Sequence, residues 1–318
     1  DVTTRPPPPG PSDLRLTRRG AITLGGLGVG ALGGLGAVLH AAASRGAGSA
    51  SPPAVSDPPR PTARPACVGS SSLPIRRTLG GARLIYDISG EPADFHLDTT
   101  FTAQLEAWLP RHVADSGLGA PAQVWTFGTW IDGTTSAEDS SGQNPTPAAT
   151  TTATNATTGA SGCTSWHNAG RAFDLSRLVG PDGTVLVSAR YDRWSAFPDA
   201  QMVPIRRAYW RTVAGLHRDF DSVLTYLFDG LHHNHIHIDN GLMDAKGSEF
   251  RTRSTVQVQA VQAMCTYVWG RAVNITGDWD DATREATSAV LDTAGLGGHL
   301  TDGVDAWHGF LTETLRRR

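Results

Sequence analysis

The chain has 318 residues, a formal net charge of −3 and 18% charged residues. It is long enough for more than one domain and carries no basic surplus for gripping nucleic acid. Prolines crowd its early part, which excludes that stretch from a packed core, so folded chemistry is expected further along.

In chain order, the first feature is "RLTRRGAITLGGLGVGALGGLGAVLHAAAS". Arg18 and Arg19 precede a long, Gly-rich, mildly apolar run that closes on Ala41, Ala42 and Ala43. This resembles a bacterial twin-arginine signal peptide, which implies that residues 1–43 direct export and are then cleaved. The run from Ala21 to Ala43 is long enough to span a membrane, which makes an N-terminal anchor the alternative, but its many glycines leave it less apolar than a typical span, so cleavage is expected, with no membrane attachment after it. Residues 44–73, with "SPPAVSDPPRPTARPA", read as a Pro-rich linker.

Outside the membrane, two of Cys67, Cys163 and Cys265 can pair, and the sequence leaves all three pairings open. There is no CxxC, so a cysteine-built zinc or redox site is not supported. Cys265 lies on the stripe Val258, Val261, Cys265, Val268, whose steps of three and four suit a buried helix face.

Residues 74–250 read as one α+β domain. "FTAQLEAWLPRHVA" has helical spacing in Phe101, Leu105 and Leu109, and "AQVWTFGTWI" has the aromatic and β-branched content of a strand. The Thr-rich tract at about 134–162 has almost nothing to bury and is expected to be a disordered surface loop. "PIRRAYWRTVAGLHRDF" reads as a helix. In "SVLTYLFDGLHHNHIHIDNG", the dipeptide Asp229-Gly230 suggests a type I′ turn joining strands 223–228 and 231–238. Alternation along the second strand sends Ile236 and Ile238 to the core and His235, His237 and Asp239 to the other face. His232 is then expected on the core side or hairpin edge, and His233 at the rim. His40, His96, His112, His217, His299 and His308 read as surface or hydrogen-bonded histidines.

"SWHNAGRAFD" supplies His167 and Asp174, with Gly170 and Ala172 between them to let the chain turn tightly. Together with an imidazole from "HIHID", two histidines and one carboxylate leave an open position on zinc, the pattern of catalytic rather than structural sites. The pattern S-x-H-x-x-G-x-A-x-D, on Ser165, His167, Gly170, Ala172 and Asp174, is followed by H-x-H. The pair resembles the LAS metallopeptidases, the group of lysostaphin, D-alanyl-D-alanine peptidases and sonic hedgehog. Over about 80–245 the chain is most similar to the bacterial extensin-like C-terminal domain.

The resemblance implies a small antiparallel sheet with flanking helices, Zn2+ held by His167, Asp174 and His237, and His235 as catalytic base or transition-state stabiliser. It implies hydrolysis of peptidoglycan peptide bonds, as carboxypeptidase or endopeptidase. Hedgehog-type relatives add the alternative of a non-catalytic zinc-containing wall or carbohydrate-binding module. D-alanyl-D-alanine peptidases place a glutamate three residues before the last histidine; here that position is Asn234, so the H-x-H branch fits better. The strand "VWTFGTW" lacks the substrate-binding arginine of peptidase relatives. Ser165 reads as a ligand's hydrogen-bond partner or a turn hydroxyl, and Asp239 as an orienting carboxylate or a solvated strand end.

Residues 252–318 read as a separate all-α module: helix "VQVQAVQAMCTYVWG", turn "NITGDWD", then a helix capped by Asp281. The order resembles a three-helix peptidoglycan-binding domain, with Asp280 replacing its usual second glycine, and implies tethering to the wall. Val258, Val261 and Trp269 are expected in its core rather than on a ligand.

Overall fold

One helical crossover in this chain joins two strands that lie side by side and run in the same direction. Strand β3 (Ala82–Tyr86) is followed by helix α1 (Thr99–Ser116) and then by strand β6 (Gln123–Thr126), which pairs with β3 in parallel. Asp98 starts α1 by accepting the Phe101 N–H at 2.9 Å, and Gly117, in the left-handed region at φ 63°, ends it. The expected spacing holds: Phe101, Leu105 and Leu109 are buried, together with Trp108.

The structure, a computed structural model, describes residues 67–132, 163, 165–241 and 247–318. Residues 1–43, linker residues 44–66, His40 and the tract 134–162 lie outside the described residues. Among the described residues no helix is long and apolar enough to cross a membrane.

The fold is α+β. Its main sheet has the order β2 (Thr78–Leu79), β3, β6, β7 (Ala172–Val179), β10 (Ile236–Asp239) and β9 (Ser222–Leu224). β4 (Glu91–Pro92) lies against β3, and β8 (Val185–Ser188) against the far half of β7. A two-stranded ribbon pairs β1 (Ile75–Arg76) with β5 (Phe95–His96). The sheet is eight-stranded and mixed, larger than the small antiparallel sheet expected, because the α1 crossover makes β3 and β6 parallel. β7 is central, with most residues buried on both faces.

After the short α2 (Tyr191–Trp194), the long α3 (Asp199–Asp219) packs on β8 and α1 with Tyr209, Trp210, Val213 and Leu216 buried. Residues 252–318 supply α4 (Thr255–Tyr267), α5 (Asp281–Thr293) and α6 (Val304–Arg316). Val258, Val261, Cys265 and Val268 are buried, as the stripe requires; Trp269 is partly exposed and its indole donates to the Thr314 hydroxyl at 2.9 Å. These helices do not stand apart: α4 and α6 pack against α3, and one hydrophobic core runs from the sheet through α3 to Trp307 and Phe310. Arg211 of α3 ties them further, donating to the Leu315 and Ser116 carbonyls at the ends of α6 and α1.

Four local expectations need correction. Residues 67–73 belong to the domain rather than to the linker, because Cys67 is disulfide-bonded and Leu73 is buried. α5 is capped by Asp280, not Asp281: the Asp280 carboxylate accepts the Thr283 N–H at 2.8 Å. Residues 223–238 do not form a tight hairpin. β9 and β10 are antiparallel neighbours, but Asp229 has φ −161° and accepts the N–H groups of Leu231 and His232, which winds 230–234 into a 3-10 turn. Finally, His112 and His217 are core residues, each 1% exposed, with neither ring nitrogen hydrogen-bonded among the described residues.

Candidate metal centre

His167 sits on a 3-10 turn, Trp166–Ala169, that local hydrogen bonds cap. The Ser165 hydroxyl accepts the His167 N–H at 3.3 Å, and the Asn168 side chain accepts the Ser165 N–H at 3.1 Å. Ser165 therefore acts as a turn cap. Gly170, at φ 64°, closes the turn and sends the chain into β7. A Cβ there would lie 2.6 Å from Leu73 Cδ1 and 3.2 Å from the Asp98 backbone nitrogen. Gly170→Ala is accordingly expected to lower stability by about 1–3 kcal/mol, read as a fall in the denaturant midpoint.

The turn is also tethered from outside. Cys67 and Cys163 form the disulfide, with their Cα atoms 5.5 Å apart, while Cys265 is free and buried. Next to Cys67, the Val68 N–H donates to the Asn168 carbonyl at 2.9 Å, and the Trp130 indole donates to the Val68 carbonyl at 2.8 Å.

Asp174 and His237 face each other directly across the β7–β10 ladder. Opposed residues on antiparallel strands project to the same side, so the register alone brings carboxylate and imidazole together. Ile236 and Ile238 point the other way and are fully buried.

The three side chains converge. His237 Nδ1 lies 3.1 Å from Asp174 Oδ1, His167 Nε2 lies 3.3 Å from the same oxygen, and the two nitrogens are 3.2 Å apart. These three residues can hold one metal ion between them. Behind the centre, His237 Nε2 lies 3.0 Å from Asp239 Oδ2, and the other Asp239 oxygen accepts the Gly241 N–H. With Asp239 taking the Nε2 proton, the ring turns its Nδ1 lone pair inward, so Asp239 orients the histidine. His167 has no such support: its Nδ1 is buried without a partner among the described residues, and the capped turn holds the ring instead.

Charge follows this geometry. Burial opposes ionisation of His237, but the hydrogen bonds and charges of Asp174 and Asp239 outweigh it and raise the ring to about 10. Asp174 resists burial in the same way; His167 and His235 hold it well below the usual carboxylate range.

His235 stands beside the triangle, its Nε2 3.4 Å from Asp174 Oδ1 and its Nδ1 2.6 Å from the Asn234 side-chain oxygen. Burial lowers it to about 4. His233 turns away, edge-on to Tyr191 with ring centres 5.1 Å apart. His232, expected on the core side or at the hairpin edge, packs 5.0 Å from the His235 ring and 6.0 Å from the His237 ring. The D-x-x-H spacing of Asp229 and His232 was the available signal, because a capping aspartate also reaches a side chain three residues on.

Strand β6 carries no arginine, but Arg190, from the far end of β8, lies over the Phe127 ring at 5.3 Å, and that ring is 6.0 Å from His235. Asp87 and Asp192 hold the Arg190 guanidinium, each at 2.7 Å. No family model, curated protein or solved structure matches this chain.

Proposed function

We propose that the chain is an exported zinc-dependent hydrolase of peptidoglycan peptide bonds, built on a LAS-type domain of the extensin-like kind. The observation that carries this reading is the triangle of His167 Nε2, Asp174 Oδ1 and His237 Nδ1, with edges of 3.1–3.3 Å. Ligands of a tetrahedral ion bonded at about 2.0 Å are separated by about 3.3 Å, so the donor set fits zinc with a position left over. Zinc, when bound, polarises a carbonyl and brings the pKa of water to about 7.

The protein's own groups supply the rest. His235 is the catalytic residue in this reading: its Nε2 takes a proton from the attacking water and delivers it to the leaving amine, as the water oxygen bonds to the carbonyl carbon and the C–N bond breaks. Asn234, on Nδ1, keeps the Nε2 lone pair aimed at the centre. Asp239 keeps His237 in its ligating tautomer. The arginine pair at the signal segment supports export, and residues 252–318 are proposed to bind the wall.

The test is digestion of purified peptidoglycan by zinc-loaded protein, with separation of the muropeptides. New peptides that vanish on chelation and return with zinc are expected. A fully zinc-occupied protein that releases none is a binding module rather than an enzyme.

A further inference from the structure

We infer that His232 is a substrate-positioning residue, its Nε2 accepting a hydrogen bond from a backbone N–H of an extended peptide laid beside the metal ligands; this rests on the hydrolase reading above. Asp229 Oδ1 gathers three donors: the Leu231 N–H at 2.9 Å, the His232 N–H at 3.2 Å and the His232 ring Nδ1 at 2.6 Å. One carboxylate thus fixes the turn and the ring together. With the proton held on Nδ1, Nε2 is left as a fixed acceptor.

The ring plane is fixed as well. Phe228 packs against it edge-on at 5.2 Å, His235 lies at 5.0 Å, and His237 crosses it at 89°. Yet Nε2 has no hydrogen-bond partner among the described residues, and it is not sealed from solvent: the side chain is 13% exposed. A histidine that merely fills space looks different here. His112 and His217 bury both nitrogens, and His233 leans on Tyr191 away from the ligands. His232 alone of these combines an anchored tautomer, an open acceptor and contact with both His235 and His237. The adjacent Leu231, 70% exposed, gives a passing peptide an apolar surface as well.

A group that binds ground state and transition state alike changes KM and leaves kcat. That separates His232 from His235, which acts on the proton. The test uses zinc-loaded full chain and a synthetic peptidoglycan stem pentapeptide. His232→Phe keeps ring volume and removes the acceptor; KM is expected to rise about tenfold, the worth of one hydrogen bond, with kcat and zinc content unchanged and the melting temperature slightly lowered by loss of the Asp229 contact. His232→Gln restores an acceptor and should recover most of the loss. N-methylation of the pentapeptide, one residue at a time, should reveal one position that costs wild type the same factor and costs His232→Phe nothing further. Additive losses, an unchanged KM, or lost zinc in His232→Phe overturn the assignment while leaving the hydrolase reading in place. If zinc-loaded wild type hydrolyses neither the pentapeptide nor peptidoglycan, both fall.

Discussion

His237→Ala is expected to abolish metal binding, whereas His235→Ala is expected to retain stoichiometric zinc and lose turnover. The difference follows from position: His237 Nδ1 forms two edges of the ligand triangle, and His235 Nε2 lies outside it, 3.4 Å from Asp174. Metal content after equilibrium dialysis checks both. Asp239→Ala, which leaves all three ligands in place but frees the His237 ring, should weaken zinc about 10–100-fold. The charge state adds a pH signature. In the metal-free centre His237 keeps its proton up to about pH 10, and a binding ion must displace it. Affinity should therefore rise with pH, by about tenfold per unit between neutral pH and 10, with about one proton released from the ring. Retention of zinc by His237→Ala together with its loss in His235→Ala would mean that the two imidazoles exchange roles.

Acidification from pH 6.5 towards 3 is expected to cost about 1.4 kcal/mol of stability per pH unit for each of His112 and His217. Burial lowers both rings to about 3, with Arg211 and Arg218 adding to the effect at His112. In this window the unfolded chain binds protons that the folded chain excludes. The stability is thus fully present above 6.5, falls as pH drops, and levels off near 3 where the folded rings also charge. His112 stacks on Trp108 and His217 packs edge-on to Trp307, so phenylalanine fits both environments. Urea melts at successive pH values should show a steep acid limb in the wild type, halved in His217→Phe and nearly flat in the double variant once the carboxylate contribution common to all three is subtracted. Equal limbs in wild type and double variant would show that these rings are not neutral in the fold.

Local periodicity was readable where burial is one-sided. Phe101, Leu105 and Leu109, or Ile236 and Ile238 against His237, announce their faces because a helix or strand must turn apolar groups one way. His112 continues the first stripe three residues after Leu109, so its burial was written in the same pattern, although its polarity argued for the surface. The 230–234 turn was less accessible. Asp229-Gly230 suits a hairpin by composition, but the Asp229 carboxylate competes for nearby backbone N–H groups and wins. Extending strand alternation through that turn gave no sign that His232 would pack against His235 and His237. The contact of His237 with Asp174 joins residues 63 apart, and only the pairing of β10 with β7 shows that they stand opposite. Their shared chemistry pointed to one site; the register gives the site its shape. The parallel β3–β6 pair, which sets the sheet's mixed character, depends on where a crossover helix lands and has no local signature.

Helix α3 belongs to two neighbourhoods at once, the sheet on one side and α4 and α6 on the other, with no apolar gap between them. Residues 252–318 therefore work as a fixed bracket instead of a ball on a string. If these helices bind the wall as proposed, the polymer they grip would meet the metal centre at one distance and one angle, set by packed side chains. Reach and avidity would then depend on whether the spacing of the polymer matches that bracket, in the manner of a gauge, and a mismatch could not be absorbed by slack in a linker.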